Sequence, residues 1–258
     1  MSELRRSVVE AVREAGAAVR GFYKDSYTVK EKGEDNPLTD ADIASNNILQ
    51  AHLTRLLPEA GWLSEESADD ASRCERPDVW IVDPVDGTKE FTLGIPEFVV
   101  SVALVREGRP VLGVLYNPIQ EQLFVGEVGE GAWYNGVPCR VSSHAQLDGA
   151  RIVCSRTEMK KGWFDKYLDR LKLMPVGSVA YKFGLVGAGM AEATFTPQPR
   201  HEWDIAGGVA FVQAAGGHTS NRHAAAFRFN LPKPLVDGIC ATNGVIHPHI
   251  LALMDVGA

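Results

Sequence analysis

The hydrophobic pattern at the start of the chain predicts two helices. Over the first 22 residues, apolar positions recur at helical spacing and define one side of an amphipathic helix: Leu4, Val8, Val12, Ala15, Val19 and Phe22. A polar stretch over residues 28–38 follows, and Thr39 begins a second predicted helix that Pro58 ends. The apolar positions of this second helix are Ile43, Leu49, Leu53 and Leu56.

After residue 77 the pattern changes to short apolar runs, which predict strands. The first runs are separated by Gly, Pro and Asn, and YNGVP predicts a hairpin turn; they read VWIVD, FVVSVALV, PVLGVLYN and QLFVGEV. From about Arg151 the patterns alternate. Strands are predicted at RIVCS, LMPVG, AEATFTP and ICATN, and helices at WFDKYLDRL, SVAYKFGLVGAGM, DIAGGVAFVQAAGG and HPHILALM.

These patterns predict an α+β fold with two halves. The N-terminal half, residues 1–145, is expected to carry a largely antiparallel sheet, and the C-terminal half, residues 146–258, a layered α/β arrangement. The segment between them shows no long flexible linker, so we expect the halves to pack as one rigid unit.

Composition limits the classes of function. The 258 residues are 45% hydrophobic and 23% charged, and the formal net charge of −7 gives no reason to expect a nucleic-acid polymer as partner. The four cysteines form no CxxC pair, which favours reduced thiols over a zinc site. Charged residues interrupt the N-terminal segment, and no apolar run has the length of a membrane span. We therefore expect a cytoplasmic protein with no membrane partner.

The stretch WIVDPVDGT places two carboxylates at the end of an apolar strand. Asp83 ends the apolar run, and Pro84 cannot extend a sheet ladder. Asp86 precedes Gly87, which permits a backbone conformation closed to most residues, and Thr88 can then begin a helical turn. Carboxylates hold hard cations and free amides hold anions, so this arrangement suits a metal ion together with a phosphate.

Three further acids each have an ordinary structural interpretation as well. Asp42 stands three residues after Thr39, the spacing of a helix capping box. Glu65 fits a solvated loop, and Asp204 fits the first turn of a helix. If the five acids converge, two like charges at about 4 Å repel by roughly 4 kcal/mol at an effective dielectric of 20, so the cluster requires cations or raised pKa values. Ligation by oxygen alone favours Mg²⁺ or Mn²⁺ over zinc.

Taken together, the motifs resemble the inositol monophosphatase superfamily of magnesium-dependent, lithium-sensitive phosphatases. The matching segments follow the family's order: PLTDAD at 37–42, LSEES at 63–67, WIVDPVDGT at 80–88, GSVAYKF at 177–183 and WDIAGG at 203–208. DPxDGT with a downstream WDxAxG is a highly specific pair. The resemblance implies a layered αβαβα sandwich of the inositol monophosphatase and fructose-1,6-bisphosphatase type.

The same resemblance implies roles for the matching residues and two or three Mg²⁺ ions per site, with Mn²⁺ as an alternative. Ligands of the first ion match Glu65, Asp83 and the Val85 carbonyl, and ligands of the second match Asp83, Asp86 and Asp204. Asp42 matches an acid beside a third, weaker ion, and Glu65 with Thr88 matches the pair that deprotonates the attacking water. The expected catalytic residues are therefore Glu65, Thr88 and Asp42. The expected substrate contacts are Gly87, Thr88, Gly177, Ser178, Lys182, Arg200 and His201.

Three sequence features bear on the phosphate ester. DGTKEF resembles the 3′(2′),5′-bisphosphate nucleotidase (CysQ-like) branch, although Lys89 and Glu90 are interpreted equally well as solvated residues. Pro197 stands about where inositol-specific members carry an acid that binds a sugar hydroxyl. Lys182, Arg200 and His201 would favour a second substrate phosphate.

We therefore predict a small-molecule phosphatase that converts 3′-phosphoadenosine 5′-phosphate to AMP and phosphate. The alternative is an inositol-1-monophosphatase-like enzyme with broad sugar-phosphate or histidinol-phosphate activity. Haloacid-dehalogenase-type phosphatases carry D-x-D-G-T, but here two residues separate Asp83 from Asp86. An inactive metal-binding scaffold would be expected only if a ligand acid or Thr88 were missing. The sequence leaves open a homodimer, and a lid formed by residues 28–38.

Overall fold

The periodic segments form regular elements in the computed structural model, which describes residues 2–25, 27–33 and 36–255. The helices are α1 (Glu3–Phe22), α2 (Asp40–Leu56), α3 (Thr88–Thr92), α4 (Arg156–Lys160), α5 (Val179–Gly187), α6 (Glu202–Ala214) and α7 (His247–Asp255). The strands are β1 (Val29–Gly33), β2 (Asn36–Thr39), β3 (Gly61–Ser64), β4 (Asp78–Asp86), β5 (Val99–Arg106), β6 (Arg109–Asn117), β7 (Gln122–Glu127), β8 (Gly131–Tyr134), β9 (Val137–Cys139), β10 (Arg151–Cys154), β11 (Lys172–Pro175), β12 (Ala193–Thr196), β13 (Arg200–His201), β14 (His218–Ser220), β15 (Leu235–Val236) and β16 (Ile239–Thr242).

The two N-terminal helices form the first layer of the fold. α1 and α2 contact each other and one face of the larger sheet, and the predicted apolar side of α1 is confirmed, with Val8, Val12 and Val19 fully buried. Burying a side chain of this size stabilises the fold by about 1.5–3 kcal/mol. The predicted apolar side of α2 is wrong at Ile43, which is 41% exposed. The buried face of α2 instead begins with Ala41 and Asp42 and continues through Ser45, Asn46, Leu49 and Leu53.

Two sheets form the second and fourth layers. The seven-stranded sheet has the order β3-β4-β5-β6-β7-β8-β9 and is antiparallel except for the parallel pair β3 and β4. The five-stranded sheet has the order β11-β10-β12-β16-β14, with β10 parallel to both of its neighbours. Strands of the first sheet end by residue 139 and those of the second begin at residue 151. Separate domains at 1–145 and 146–258 stay a prediction.

Helices α5 and α6 form the middle layer, and α7 covers the outer face of the five-stranded sheet. Apolar residues of the middle helices are buried on both faces, as expected for helices covered by a sheet on each side. One hydrophobic core joins the halves, with Ile81 and Phe124 from the larger sheet, Phe183 and Phe211 from the middle helices, and Ile239 from the smaller sheet. The predicted αβαβα sandwich is therefore confirmed.

The segment WFDKYLDRL does not form the predicted helix. It folds into consecutive turns with only a 3₁₀ turn at Asp165–Tyr167, while the unpredicted helix α4 precedes it. Phe164, Tyr167 and Leu171 have helical spacing, but the turns bury these residues against β12 and α7 instead. Spacing alone could not distinguish these turns from a helix, because tertiary burial decided the backbone here.

Two sequence expectations about composition are also answered by the described residues. All four cysteines are free thiols, and Cys154 and Cys240 are buried. No helix among residues 2–25, 27–33 and 36–255 is long and apolar enough to cross a membrane.

Candidate active site

A bulge at the end of β4 places Asp83 and Asp86 on the same face of the sheet. In a regular strand, residues three apart point to opposite faces. Here the step from Asp83 to Asp86 spans three residues on β4 but only two on β5, so one extra residue reverses the alternation. Pro84 stands inside the bulge, where its missing N–H costs no ladder bond. Its carbonyl accepts a 2.9 Å hydrogen bond from Ser45 Oγ of α2, which stabilises the bulge.

Glu65 reaches the same corner from the neighbouring strand. It directly follows β3, and its backbone N–H donates to the carbonyl of Val82 at 3.3 Å. Because β3 and β4 run parallel, their carboxyl ends lie at one edge of the sheet. This pairing places Glu65 beside Asp83, and both line one cavity.

The turn after β4 connects the bulge to α2. Gly87 has a φ of +102° and precedes α3, as its position in the motif predicts. Thr88 Oγ1 lies 3.0 Å from Asp42 Oδ1 and 2.9 Å from the Val85 carbonyl, so its single proton is shared between two acceptors. The other oxygen of Asp42 accepts hydrogen bonds from the backbone N–H of Thr39, at 2.8 Å, and from its hydroxyl. Asp42 is thus both a capping residue and a partner of Thr88.

Asp86 connects the strand bulge to the N-terminus of α5. Its Oδ2 accepts hydrogen bonds from Ser178 Oγ and from the backbone N–H of Ala180. Ser178 has a φ of +57°, a strained conformation for a residue with a side chain. Lys182 Nζ donates to the Ser178 carbonyl and to that of Val176, at 3.5 Å for the latter, which helps to hold this conformation.

Asp204 lies in the first turn of α6. Its Oδ2 accepts a 3.1 Å hydrogen bond from the backbone N–H of His201, as a capping acid does. The same side chain lines the cavity with Glu65, Asp83 and Asp86. Its capping position is therefore compatible with a place in the cavity wall, and its role as a metal ligand stays a prediction.

These side chains line a cavity of about 620 Å³, and their mutual repulsion alters their acidity. Burial raises the pKa of Asp83 well above its ordinary value, and the charges of Glu65 and Asp86 raise it further. Burial also raises the pKa of Asp204, which retains partial contact with solvent through the cavity, and repulsion from Asp86 adds to the effect. For Asp86, burial outweighs its hydrogen bond from Ser178 and the nearby Lys182, and its pKa is about 6.

The donor chemistry of this cluster fits divalent cations. Asp83, Asp86 and Asp204 each give one oxygen to a backbone N–H, and no hydrogen bond from the described residues reaches the other oxygen. Hard cations prefer such oxygen donors, and their charge would offset the repulsion. In the described part of the chain, however, no three acidic, histidine or cysteine side chains already stand in an arrangement that holds an ion. The residues therefore match a metal site in kind and in charge, without being preassembled around one ion.

Comparison with known proteins agrees with this geometry. The family model described as the inositol monophosphatase family matches residues 1–255. The chain belongs to the inositol monophosphatase family. Members of this family are phosphatases and are generally metal-dependent, so the chain is a phosphatase.

Relatives in the family carry two kinds of name. Inositol monophosphatase 3 of Solanum lycopersicum is 34% identical over 221 residues, which cover 81% of this chain and 82% of the relative. The 3′(2′),5′-bisphosphate nucleotidase CysQ of Salmonella typhimurium is 35% identical over 220 residues, covering 82% and 87%. The crystal structure of the extragenic suppressor protein SuhB from Bartonella henselae superposes with a TM-score of 0.86 at 28% identity, covering 100% of both chains. These identities do not separate the two substrate classes.

The structure brings all but one of the site residues predicted for this family member into the cavity wall. The predicted residues that line the cavity are Glu65, Asp83, Val85, Asp86, Gly87, Thr88, Gly177, Ser178, Lys182, Arg200, His201 and Asp204. Asp42 lies behind Thr88. Pro37 of β2 also lines the cavity. Residues 34 and 35 lie outside the described residues, so a lid over 28–38 stays open.

Several wall residues were missed by the sequence interpretation. Ser155, Arg156 and Thr157 follow strand β10, which is parallel to its neighbours, so the rule that ligands bind at the carboxyl ends of parallel strands could have found them. Glu90 was given an equal chance of being solvated. It lines the cavity instead, and a Cβ on Gly177 would stand 2.3 Å from its Cγ.

Proposed function

We propose that the chain hydrolyses phosphate monoesters by direct attack of water, and that its preferred substrates are 3′(2′),5′-bisphosphate nucleotides. The observation that carries this proposal is a single cavity in which an acidic corner, formed by four carboxylates, faces a wall that contains Lys182 and Arg200. Its volume of about 620 Å³ suits a small molecule rather than a polymer.

Asp42 and Thr88 are proposed to activate the attacking water. Thr88 Oγ1 donates to Asp42 Oδ1 at 3.0 Å, so its lone pairs remain able to accept a proton from a water molecule in the cavity. Burial raises the pKa of Asp42, which makes its carboxylate a better final acceptor of that proton. This assigns the base to the Thr88–Asp42 pair. Glu65, which the family resemblance pairs with Thr88 in deprotonating the water, is then proposed only to hold a cation.

The carboxylates of Glu65, Asp83, Asp86 and Asp204, with the Val85 carbonyl, are the groups that would hold Mg²⁺ or Mn²⁺. A bound divalent cation would lower the pKa of water and offset the charge on the phosphoryl group. The backbone N–H groups of Gly87 and Thr88 lie at the start of α3, where they are proposed to bind the phosphoryl oxygens.

The cations of the C-terminal half favour a substrate with a second phosphate. Lys182 is 6% exposed and lies beside Asp86, so its charge also balances the acidic corner. Arg200 pairs with Glu158 at 3.2 Å and faces Asp204. His201 stacks on Trp203 with ring centroids 4.4 Å apart, which provides an aromatic surface in the cavity wall for a nucleobase.

An inositol-phosphate or broad sugar-phosphate hydrolase is the second candidate, and its support is the 34% identity with a plant inositol monophosphatase. The argument against it from Pro197 is weakened by the structure. Pro197 does not line the catalytic cavity but a neighbouring one, together with Phe195 and Trp163. The residue that bears on specificity at this edge is therefore Arg200.

A substrate panel tests the proposed function. Phosphate release is measured with Mg²⁺ and with a chelator, using 3′-phosphoadenosine 5′-phosphate, inositol 1-phosphate and histidinol phosphate. We expect the chelator to abolish release, and kcat/KM to be at least tenfold higher for the nucleotide. Faster hydrolysis of inositol 1-phosphate would overturn the nucleotidase proposal in favour of the second candidate.

A further inference from the structure

Two arginines in the wall of the catalytic cavity have donors that the protein does not satisfy. Arg156 begins α4 and Arg200 lies in β13, and both line the cavity. In each guanidinium, Nε is buried and finds no acceptor among the described residues. Buried donors without acceptors are rare in native proteins. Two of them in one cavity wall therefore indicate a ligand rich in acceptor oxygens.

Arg156 has more donors available than Arg200. Arg200 Nη1 donates to the Pro199 carbonyl at 2.9 Å and Nη2 donates to Glu158 at 3.2 Å. Arg156 is held through Nη2 alone, which donates to both carboxylate oxygens of Glu97. No acceptor in the described part of the chain reaches Nη1 of Arg156, and its side chain keeps 34% of its surface exposed. Arg156 can therefore bind an anion without giving up its ion pair.

Arg156 is paired with an acid outside the acidic corner. Lys182 lies beside Asp86, and Arg200 lies beside Asp204. Arg156 instead lies next to Glu97 and acts on Glu90, on the side of the cavity formed by the loop after α3. If the phosphoryl group that is hydrolysed binds at the acids, this side of the cavity remains available to another part of the same substrate.

Glu97 fixes the position of this guanidinium relative to the catalytic loop. One of the two oxygens that bind Arg156 also accepts a 2.8 Å hydrogen bond from the backbone N–H of Gly177. Gly177 precedes Ser178, whose strained backbone supplies the hydroxyl that holds Asp86. The carboxylate therefore joins the Arg156 side of the cavity to the acidic corner.

We propose that Arg156 binds the second phosphate of a bisphosphate substrate, the one that is not hydrolysed, and that Glu97 is the positioning residue that orients it. A guanidinium suits this task because it stays charged at all relevant pH values, and its Nε–H and Nη1–H groups, which Glu97 leaves unpaired, can each donate to an acceptor oxygen. This inference rests on the proposed nucleotidase function, since a monophosphate would have no group to place at Arg156.

Two esters that differ by one phosphate test the proposal. 3′-Phosphoadenosine 5′-phosphate and adenosine 3′-phosphate both lose the 3′-phosphate to water, but only the first carries a 5′-phosphate. We expect Arg156→Ala to lower kcat/KM about 10- to 100-fold for the bisphosphate, mainly through KM, and less than threefold for the monophosphate. Arg156→Lys keeps the charge but loses the separate Nε–H and Nη1–H donors, so we expect only partial recovery.

Two further variants accompany the comparison. Arg170→Ala is the matched control, because Arg170 forms an exposed ion pair with Asp148 and does not line the cavity. Glu97→Gln keeps an acceptor for the Gly177 N–H but loses the ion pair, so we expect it to raise KM for the bisphosphate and to leave kcat within about threefold.

Binding provides a readout that does not depend on turnover. Calorimetry on the protein in chelator, with adenosine 5′-phosphate and with adenosine as probes, should show that Arg156→Ala weakens only the phosphorylated probe. Equal losses for both esters, or for both probes, would overturn the assignment of Arg156 while leaving the nucleotidase function intact. A wild-type enzyme that does not prefer the bisphosphate would instead overturn the proposed function.

Discussion

At the scale of single residues, two carboxylates of the candidate site, Asp42 and Asp204, each have two roles. Oδ2 of Asp42 accepts a hydrogen bond at the cap of α2, and Oδ1 accepts one from Thr88. One oxygen of Asp204 accepts a hydrogen bond at the cap of α6, and the same side chain lines the cavity. The capping and functional interpretations of these acids were treated as alternatives at the level of sequence. They are compatible because a carboxylate has two oxygens, which accept hydrogen bonds from different directions.

Asp42→Asn should separate these two functions. The amide oxygen can still accept a hydrogen bond from Thr39 or Thr88, so we expect the unfolding temperature to change by no more than a few degrees. Because an amide cannot accept the proton, kcat should fall by about 10²- to 10⁴-fold. The measurement is steady-state phosphate release at saturating substrate. Asp40→Asn, an exposed acid in the same helical turn, is the control. An Asp42→Asn enzyme with near wild-type kcat would contradict the proposed base.

His247 makes the stability of the fold depend on pH. It is 5% exposed, its ring nitrogens lie 3.0 Å from the hydroxyls of Ser220 and Thr242, and the ring of His218 lies 4.2 Å away. Burial lowers its pKa from 6.5 to about 4, and His218 contributes. The unfolded chain therefore binds a proton that the folded protein refuses. Stability from neutral His247 is complete above pH 6.5 and is lost as the pH falls towards 4.

This titration is measurable as a difference between two proteins. Between pH 7.5 and 4.5 the wild type should lose roughly 2–3 kcal/mol more unfolding free energy than His247→Gln, which carries no titratable group at this position. Urea denaturation at several pH values, followed by circular dichroism, provides the comparison. Parallel pH profiles for the two proteins would show that His247 is protonated in the folded state or is not buried.

At the scale of elements, glycines determine how closely α6 approaches the larger sheet. A Cβ on Gly113 of β6 would stand 2.1 Å from the Gly207 carbonyl, and a Cβ on Gly207 would stand 2.8 Å from Ser101 Oγ of β5. On the other side of the helix, Gly208 meets Phe183 of α5. Gly207 and Gly208 therefore allow the close packing that brings the first turn of α6 to the bulge of β4. Hydrophobic patterning predicted this helix but not its distance from the sheet.

Gly207→Ala should move this helix and thereby weaken the site. Overpacking at such a contact costs about 1–3 kcal/mol of unfolding free energy. Because Asp204 lies one turn earlier, we also expect kcat/KM to fall at least tenfold. Gly21→Ala is the matched control, since its added Cβ meets nothing within 4 Å in α1 and should stabilise the helix by up to about 1 kcal/mol. Unaltered activity in a less stable Gly207→Ala protein would separate packing from catalysis and contradict this account.

At the scale of the whole molecule, the site lies where the two halves meet. The larger sheet provides Asp83 and Asp86, and the middle helices with their preceding loops provide Ser178, Lys182 and Asp204. The shared core positions these groups together, although the acidic corner is repulsive on its own. The acidic corner therefore lowers the stability of the fold, and apolar burial elsewhere compensates for this loss, as is common at functional sites.

Divalent cations should therefore stabilise the entire fold. At 100 times the dissociation constant, binding adds about 2.7 kcal/mol to the unfolding free energy. We expect the midpoint of thermal unfolding to rise with added Mg²⁺, and Asp83→Asn to suppress most of this rise. In chelator, the same substitution should raise the midpoint, because it removes one buried like charge. A wild-type midpoint unaffected by Mg²⁺ would show that the acidic corner does not bind this metal.

Much of the fold and of the site was predictable from local pattern. The amphipathic α1, strands β4 to β7 of the larger sheet, the turn at Gly87 and the acids of the corner follow from spacing, turn chemistry or motif, whereas the edge strand β3 was not predicted. The helix over WFDKYLDRL was predicted wrongly, because consecutive turns bury the same apolar residues that a helix would have aligned. Arg156 was missed, and the position of Glu90 was left open, because no local rule shows which polar side chains face a cavity formed by distant segments.

By itself, the sequence determined which residue types were available and how most of the short segments would fold. Capping spacing, a proline before the second acid and a glycine at positive φ all act within a few residues, so they can be read without a structure. Only the tertiary structure decided which acids share a cavity, because that depends on the one-residue bulge in β4, the parallel pairing of β3 and the close approach of α6. It also decided which cations remain available to a ligand, because ion pairs such as that of Arg200 with Glu158 join residues 42 positions apart.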